Sequence, residues 1–271
     1  FGFTGTPIND ENQKKLNTTQ TIFGENLHTY SLANGIIDKN VLGFYPYMCP
    51  TYKDKALRRC VALYKAKAQT EAEALSDEAK KEVYQYYMNP SKVAMAGKSL
   101  PDGSYIKGIE DYISDSQYNC DKHHCKVVED IKENWITHSL NGKFHALLAT
   151  ENIPEATAYY RLLRKKMPKL KITALFDPNV DNTGGQQFKE EGLIEILEGY
   201  NEQFGKNFNM STHAAFKKDI ALRLAHKKPY NTTDFTSDKQ IDILIVVNQM
   251  LTGFDSKWIN TLYVDKMMEY E

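Results

Sequence analysis

The stretch IDILIVVN, residues 241–248, runs directly into QMLTGFDSKW, residues 249–258, and its reading decides the fold class. Ile243 to Val247 is an unbroken apolar run, rich in β-branched side chains and without the polar alternation of a strand that is wet on one side. It is short for a helix, and a Gly, Gly253, follows soon after. Such a run reads as a strand buried on both faces. Strands of that kind sit in parallel sheets, whose crossover helices cover the two sides.

The flanking sequence repeats the pattern. INTLYVDK (259–266), LKITALFDP (170–178) and KFHALLAT (143–150) are further short apolar runs. Helix-like segments separate them. IPEATAYYRLLRKKM (153–167) carries Pro154 in its first turn behind a capping Asn152. GQQFKEEGLIEILEGYNEQFG (185–205) is helical despite Gly192 and Gly199 inside it, and MSTHAAFKKDIALRLAH (210–226) has Ser211 or Thr212 as its cap. The alternation predicts an α/β domain over 141–271, a parallel sheet with helices on both faces.

Upstream, residues 51–140 form a mainly helical segment. DKALRRCVALYKAKAQTEAEALSDEAKKEVYQYY is rich in Ala, Lys, Glu and Leu, all strong helix formers, with a second helix opening near Ser76. GKSLPDGSYIKG is a loop, and KVVEDIKENWITHSL places Val127, Val128, Ile131, Trp135 and Ile136 at helical spacing. Residues 1–50 read as loops, with a strand at Phe1–Phe3, a short helix near Ser31–Asp38 and a strand near Val41–Tyr47.

Composition narrows the function. With 34 Lys plus Arg against 35 Asp plus Glu, there is no global basic excess, so any nucleic-acid surface is local. The 17 Tyr and 12 Phe exclude a disordered composition. No apolar run reaches the roughly 20 residues of a membrane span, so no membrane partner is expected. Four cysteines in 271 residues make no disulfide scaffold, and a reducing cytoplasm is the expected compartment.

In open parallel sheets ligands bind beyond the carboxyl ends of strands, so the loops there carry the chemistry. After IDILIVVN come Thr252, Gly253 and Asp255: a hydroxyl and a close backbone for phosphate, and a carboxylate for a ribose hydroxyl. A plain turn is the alternative. After FHALLAT, Thr150, Glu151 and Asn152 open a helix, whose N-terminus attracts anions; that helix then carries Arg161, Arg164 and Lys165, which equally make a solvated basic face. TGTP, Thr4–Pro7, is a sharp exit with two hydroxyls, or a bare turn. In CDKHHC, Cys120, His123, His124 and Cys125 make zinc conceivable, but the spacing fits no usual zinc knuckle and no second pair follows, so no metal is expected. NTGGQ (182–186) lacks the spacing of a triphosphate loop and reads as a turn. There is no Walker A motif, no DEAD-like acidic box and no assembled Ser-His-Asp or Cys-His set.

Four stretches in this order, FGFTGTPI, FGENLHTYSLANGIIDKNVL, FHALLATENIPEATAYYRLL and VVNQMLTGFDSKWINTLYVDK, make the chain resemble a type I restriction enzyme R subunit. The resemblance spans both ends and most of the last 130 residues, and leaves 51–140 unanchored. It implies a superfamily 2 helicase-like motor of two RecA-like domains. Residues 1–50 would end the first domain, with Thr4, Gly5, Thr6 and Pro7 in the place of motif III, which couples ATP hydrolysis to movement. Residues 141–271 would be the second domain, with Thr252, Gly253 and Asp255 in the place of motif V at the nucleotide and DNA cleft. Thr150, Arg161, Arg164 and Lys165 would touch the DNA backbone. The resemblance further implies ATP and Mg2+ as cofactors of the full-length protein, and double-stranded DNA, a specificity subunit and a methyltransferase subunit as partners. The Walker motifs and the nuclease would precede Phe1 and the arginine of motif VI would follow Glu271, so this fragment alone is expected to bind no cofactor and to be inactive. The alternatives are a non-catalytic RecA-like interaction module, or the motor of another superfamily 2 helicase or remodeller.

Overall fold

The computed structural model describes residues 2, 4, 7–8, 18–100, 103–114, 117–177, 186–231, 238–247, 250 and 254–266. The chain divides into two compact units, Phe1–Met48 with Asp265–Glu271, and Cys49–Val264.

In the smaller unit, α1 (Thr19–Phe23) and α2 (Leu32–Ile37) are both held by capping boxes, from Thr18 and Ser31. The Ile8 N–H donates to the Thr19 hydroxyl at 2.7 Å, and the Ile8 carbonyl accepts from the Thr19 N–H at 2.8 Å, which pins the chain just after Pro7 to α1. The expected strand at Val41–Tyr47 does not form; residues 42–50 have no regular structure. Gly43 weakens strand propensity, Pro46 cannot donate to a ladder, and among the described residues no partner strand lies alongside. Large apolar side chains stand in solvent along this unit: Leu42 is 91% exposed and Tyr45 88%.

The larger unit opens with α3 (Asp54–Lys65), α4 (Glu71–Ser76) and α5 (Glu78–Met88). α5 starts at Asp77, whose carboxylate accepts from the N–H groups of Ala79 and Lys80. Two small clusters hold these helices: Leu57, Val61, Val93 and Ile109, and Ala62, Ala66, Ala74 and Tyr84. A two-residue antiparallel pair, β1 (Lys98–Ser99) with β2 (Tyr105–Ile106), interrupts the helical segment. α6 (Asp121–His138) follows, opening before the apolar stripe of Val128, Ile131 and Trp135 that it buries.

The main sheet has β3 (His145–Thr150), β4 (Ile172–Leu175), β5 (Ile243–Val246) and β6 (Ile259–Asp265) in the order β4-β5-β3-β6. β5 is central and pairs in parallel with both neighbours, Ile243 lying opposite Ala146 on one side and Ile172 on the other. Every residue of β3, β4 and β5 is buried, as an unalternated apolar run requires when helices flank the sheet. This is the parallel α/β architecture expected from IDILIVVN, a RecA-like four-stranded parallel sheet. At the β6 edge, His138 at the end of α6 meets the Tyr263 hydroxyl at 3.0 Å, and its carbonyl accepts from the Asn260 amide at 2.8 Å.

Among the described residues α6 shares the core of this sheet with α7 (Ile153–Lys166), α8 (Gln186–Phe204) and α9 (His213–Leu224), the last preceded by a 3-10 turn, Met210–Thr212. Thr212, one of the two expected caps, is the N-cap residue of α9, without a side-chain hydrogen bond to the helix; the 3-10 turn before it is capped by the Asn209 side chain. Gly192 and Gly199 do not break α8. They face α7: a Cβ at Gly192 would sit 2.9 Å from the Thr157 hydroxyl, and one at Gly199 would overlap the Tyr160 hydroxyl and the Arg164 guanidinium. The Tyr160 ring is buried and cannot step aside. Gly199→Ala is therefore expected to destabilise the unit by about 1–3 kcal/mol despite alanine's better helix propensity. Urea unfolding checks this; a gain in stability would contradict the close helix contact.

Candidate functional site at the carboxyl edge of the sheet

The topology fixes where a site belongs. β3 leads through α7 to β4, beyond β5, whereas β5 leads to β6, on the far side of β3. The chain thus leaves the adjacent carboxyl ends of β3 and β5 toward opposite edges of the sheet, each connection passing the other's strand, and a crevice at such a reversal is where open parallel sheets take ligands. Ala149 opposite Val246 marks its floor.

Thr150 lies at that floor, fully buried. Its hydroxyl donates to the Val246 carbonyl at 3.3 Å, so it ties the two strand ends together instead of standing free. The first turn of α7 is satisfied from within. Asn152 accepts from the Glu155 N–H at 3.0 Å, and Glu155 accepts from the Glu151 N–H at 2.9 Å. Beside it, His124 from α6 brings Nε2 to 3.5 Å from the Glu155 carboxylate, with both side chains buried and the imidazole against the Tyr159 ring at 4.7 Å. A buried carboxylate at this helix start works against an anion. The residues here fit nucleotide phosphate poorly on their own. They could offer a cation two donors, Glu155 and His124.

Asp255, beyond β5, is exposed; Thr252 and Gly253 lie outside the described residues. Asp255 is framed by Phe254, which packs against the core, and Ser256, whose hydroxyl donates to the Leu224 carbonyl at 2.7 Å. At the end of β4, burial lowers the His213 pKa, and the nearby Asp177 carboxylate partly opposes that.

The basic residues of α7 are elsewhere. Arg161 makes a two-pronged pair with Glu195 of α8, at 2.9 and 2.5 Å. Arg164 donates to the Tyr160 hydroxyl at 2.8 Å and reaches Glu202 at 3.7 Å. Lys165 is exposed in the last turn. That turn is roughly 16 Å along the helix from Ile153, so Thr150 and these cations occupy opposite ends of α7. Of the TGTP stretch, Thr4 is exposed and Pro7 half-buried; Gly5 and Thr6 lie outside the described residues.

The CDKHHC side chains turn to separate partners. His123 Nδ1 meets the Thr51 hydroxyl at 2.8 Å, His124 faces Glu155, and Cys120 at the start of α6 donates to the Gln117 carbonyl. The Tyr52 hydroxyl and the first-turn amides hold the Cys120 thiol below its ordinary pKa. The His124–Glu155 pair was not legible in the sequence, because 31 residues separate its members; the Glu four places after Glu151 in a capping position was the available signal. Residues 182–185 of NTGGQ lie outside the described residues, and Gln186 begins α8. Among the described residues no helix is long and apolar enough to cross a membrane.

Two family models match. Residues 142–271 match "Type I restriction enzyme subunit R domain 3", and residues 1–82 match "SWI2/SNF2 ATPase". The whole chain is similar to a type I restriction enzyme endonuclease subunit of Staphylococcus aureus (strain COL), with 32% identity over 279 residues. It is similar in the same way to one from Staphylococcus saprophyticus, with 30% identity over 281 residues. The alignments cover 100% of this chain and 24% of each relative, so the chain spans about a quarter of their length. Motif order, the sheet around β5 and these relatives agree: the chain is similar along its whole length to type I restriction enzyme endonuclease subunits, and residues 142–271 match domain 3 of the R subunit.

Proposed function

We propose that this chain is part of the ATP-dependent motor of a type I restriction endonuclease, coupling ATP hydrolysis to movement along double-stranded DNA and so to cleavage. In this reading residues 1–50 close the first RecA-like domain, 51–140 form a helical segment, and 141–271 are the second RecA-like domain. The observation that carries the reading is the strand order β4-β5-β3-β6, in which the connections leave the adjacent carboxyl ends of β3 and β5 toward opposite edges, with Thr252, Gly253 and Asp255 following β5 in the sequence. Backbone amides and hydroxyls at such an edge hold phosphates without reading bases, which suits a motor that travels over any sequence.

The nucleotide and Mg2+ belong, in this reading, to the full-length subunit, where the other RecA-like domain supplies the phosphate cradle that the α7 start lacks. Positioning and charge stabilisation make up most of the work in phosphoryl transfer, so half a cleft is inactive. Specificity and methyltransferase subunits would be the partners, in a reducing cytoplasm. Relatives named as restriction enzyme endonuclease subunits support the assignment.

The test uses the full-length subunit assembled with its partners. Thr252→Ala should slow ATP-driven DNA translocation about tenfold or more, the effect of losing one hydrogen bond to a charged phosphate. Unchanged translocation would remove the crevice from the mechanism. Arg164→Glu with Lys165→Glu should weaken DNA binding equally across sequences and flatten its salt dependence if the end of α7 meets the DNA backbone.

A further inference from the structure

At the other edge of the sheet, two buried imidazoles meet. His145, the first residue of β3, and His226, just after α9, bring their Nε2 atoms to 2.6 Å, with the residues 1% and 8% exposed. At that separation one nitrogen must donate and the other accept, because two lone pairs or two N–H groups would repel. The indole of Trp258 stacks on His226 at 4.1 Å, nearly coplanar at 10°. The backbone N–H of His145 donates to the Trp258 backbone carbonyl at 2.9 Å, so Trp258 is tied to the main chain of one histidine and to the ring of the other. Ser256 adds a second tie through Leu224, and the Trp258 N–H donates back to the Ser256 hydroxyl at 3.1 Å. The segment 254–258, which holds Asp255 and feeds β6, is thereby fastened to the start of β3 and the end of α9.

We propose that His145 and His226 share a single proton between their Nε2 atoms, and that this neutral pair is the fixture which, through Trp258, positions segment 254–258 and with it Asp255. A first proton taken up at the donor's bare Nδ1 would leave the Nε2 bond in place, and charging of both imidazoles leaves two N–H groups pointing at each other. The imidazoles must then part, and the indole loses the ring it rests on. The surroundings oppose that uptake: the pair is buried, Lys257 is the charged group facing His226, and on the Nδ1 side His226 meets the neutral Gln240 amide at 3.4 Å. Burial, then the neighbouring imidazole, lower the His145 pKa to about 3, in the direction this requires. His145 and His226 are positioning residues. Any effect on a motor rests on the function proposed above, whereas the shared proton does not.

The experiment needs neither ATP nor DNA, so its failure is distinct from failure of the motor reading. The full chain, labelled with 15N at its seven histidines, is titrated from pH 8 to pH 4. The expected result is one Nε2 carrying hydrogen and the other bare at pH 7. Both imidazoles then stay neutral below the ordinary value of about 6.5. Amide hydrogen exchange over 254–258 should rise about tenfold or more as the pair finally charges. A Trp135→Phe background isolates Trp258, whose fluorescence should change with the same midpoint. Titration of either imidazole near 6.5, or exchange at 254–258 that ignores the charging of the pair, overturns the proposal. His226→Gln gives a second reading: exchange at 254–258 should already be fast at pH 7, and unaltered protection there counts against the fixture.

Discussion

Replacing Arg223 by alanine should cost the larger unit about 3–5 kcal/mol, because the substitution takes the guanidinium partner from a buried carboxylate. Arg223 is 2% exposed and lies between the rings of Phe204 and Tyr230, each centroid 4.0 Å from the guanidinium carbon. Its Nε donates to Asp219 at 2.9 Å, one helical turn earlier on α9, and its terminal nitrogens donate to the Lys239 carbonyl and the Tyr230 hydroxyl. Asp219 also accepts from the hydroxyls of Tyr200, at 2.5 Å, and Tyr230. Burial raises the Asp219 pKa, but the two hydroxyls and the guanidinium together outweigh it and hold the group below the usual carboxylate value. Removing Arg223 leaves Asp219 with the two tyrosine hydroxyls and the Lys206 ammonium at 3.5 Å, but without the guanidinium that meets it inside the fold. For a unit of this size the loss corresponds to a fall in Tm of about 10 °C. Thermal melting checks it, together with a control: Asp219→Leu with Arg223→Met removes both charges, and should be milder than Arg223→Ala alone. A double variant as damaged as the single one would show that packing, not the carboxylate's lost partner, dominates.

The second large effect is loss of stability in acid. His145 is held neutral in the fold with a pKa of about 3, while an unfolded histidine titrates near 6.5. The folded pKa is depressed, so the unfolded chain binds the extra proton first. Stability is full above about pH 6.5, falls as pH drops below it, and keeps falling until the folded pKa is reached. Between pH 7 and pH 4 the loss from this group is about 3 kcal/mol. Asp219 adds its own loss only below the ordinary carboxylate range, because its pKa is lowered as well. Denaturant unfolding at a series of pH values should therefore show a decline that starts near pH 6.5. In His145→Gln, which cannot titrate, the decline over pH 6.5–4 should flatten markedly; an unchanged slope would assign the acid sensitivity to other groups.

Both effects arise from contacts that a single sequence hides. The sheet was legible because burial on both faces leaves a local mark, the unalternated run in β5 and β3, and because Asn152 and Pro154 announce the start of α7. Asp219 and Arg223 show their four-residue spacing openly, yet on sequence alone that is an ordinary solvent-facing pair. Only the aromatic rings brought by α8 and by the segment after α9 make it a buried one. His145 and His226 are 81 residues apart, and nothing local to either marks the meeting. The site was legible to the same degree: the crevice followed from strand order, but the inward turn of Thr150 depends on the register of β3 with β5. The expected strand at Val41–Tyr47 failed for a similar reason, since an apolar and aromatic stretch makes a strand only when a neighbour offers its backbone.

Those aromatics have a practical consequence. Leu42, Phe44, Tyr45, Tyr47 and Met48 form a greasy ribbon that water wets badly, at 91, 73, 88, 60 and 85% exposure. Handled as this polypeptide alone, it will stick to itself, to column resins and to bacterial holdases. Yields should fall as concentration rises, and a mild detergent or a charged fusion tag should restore them.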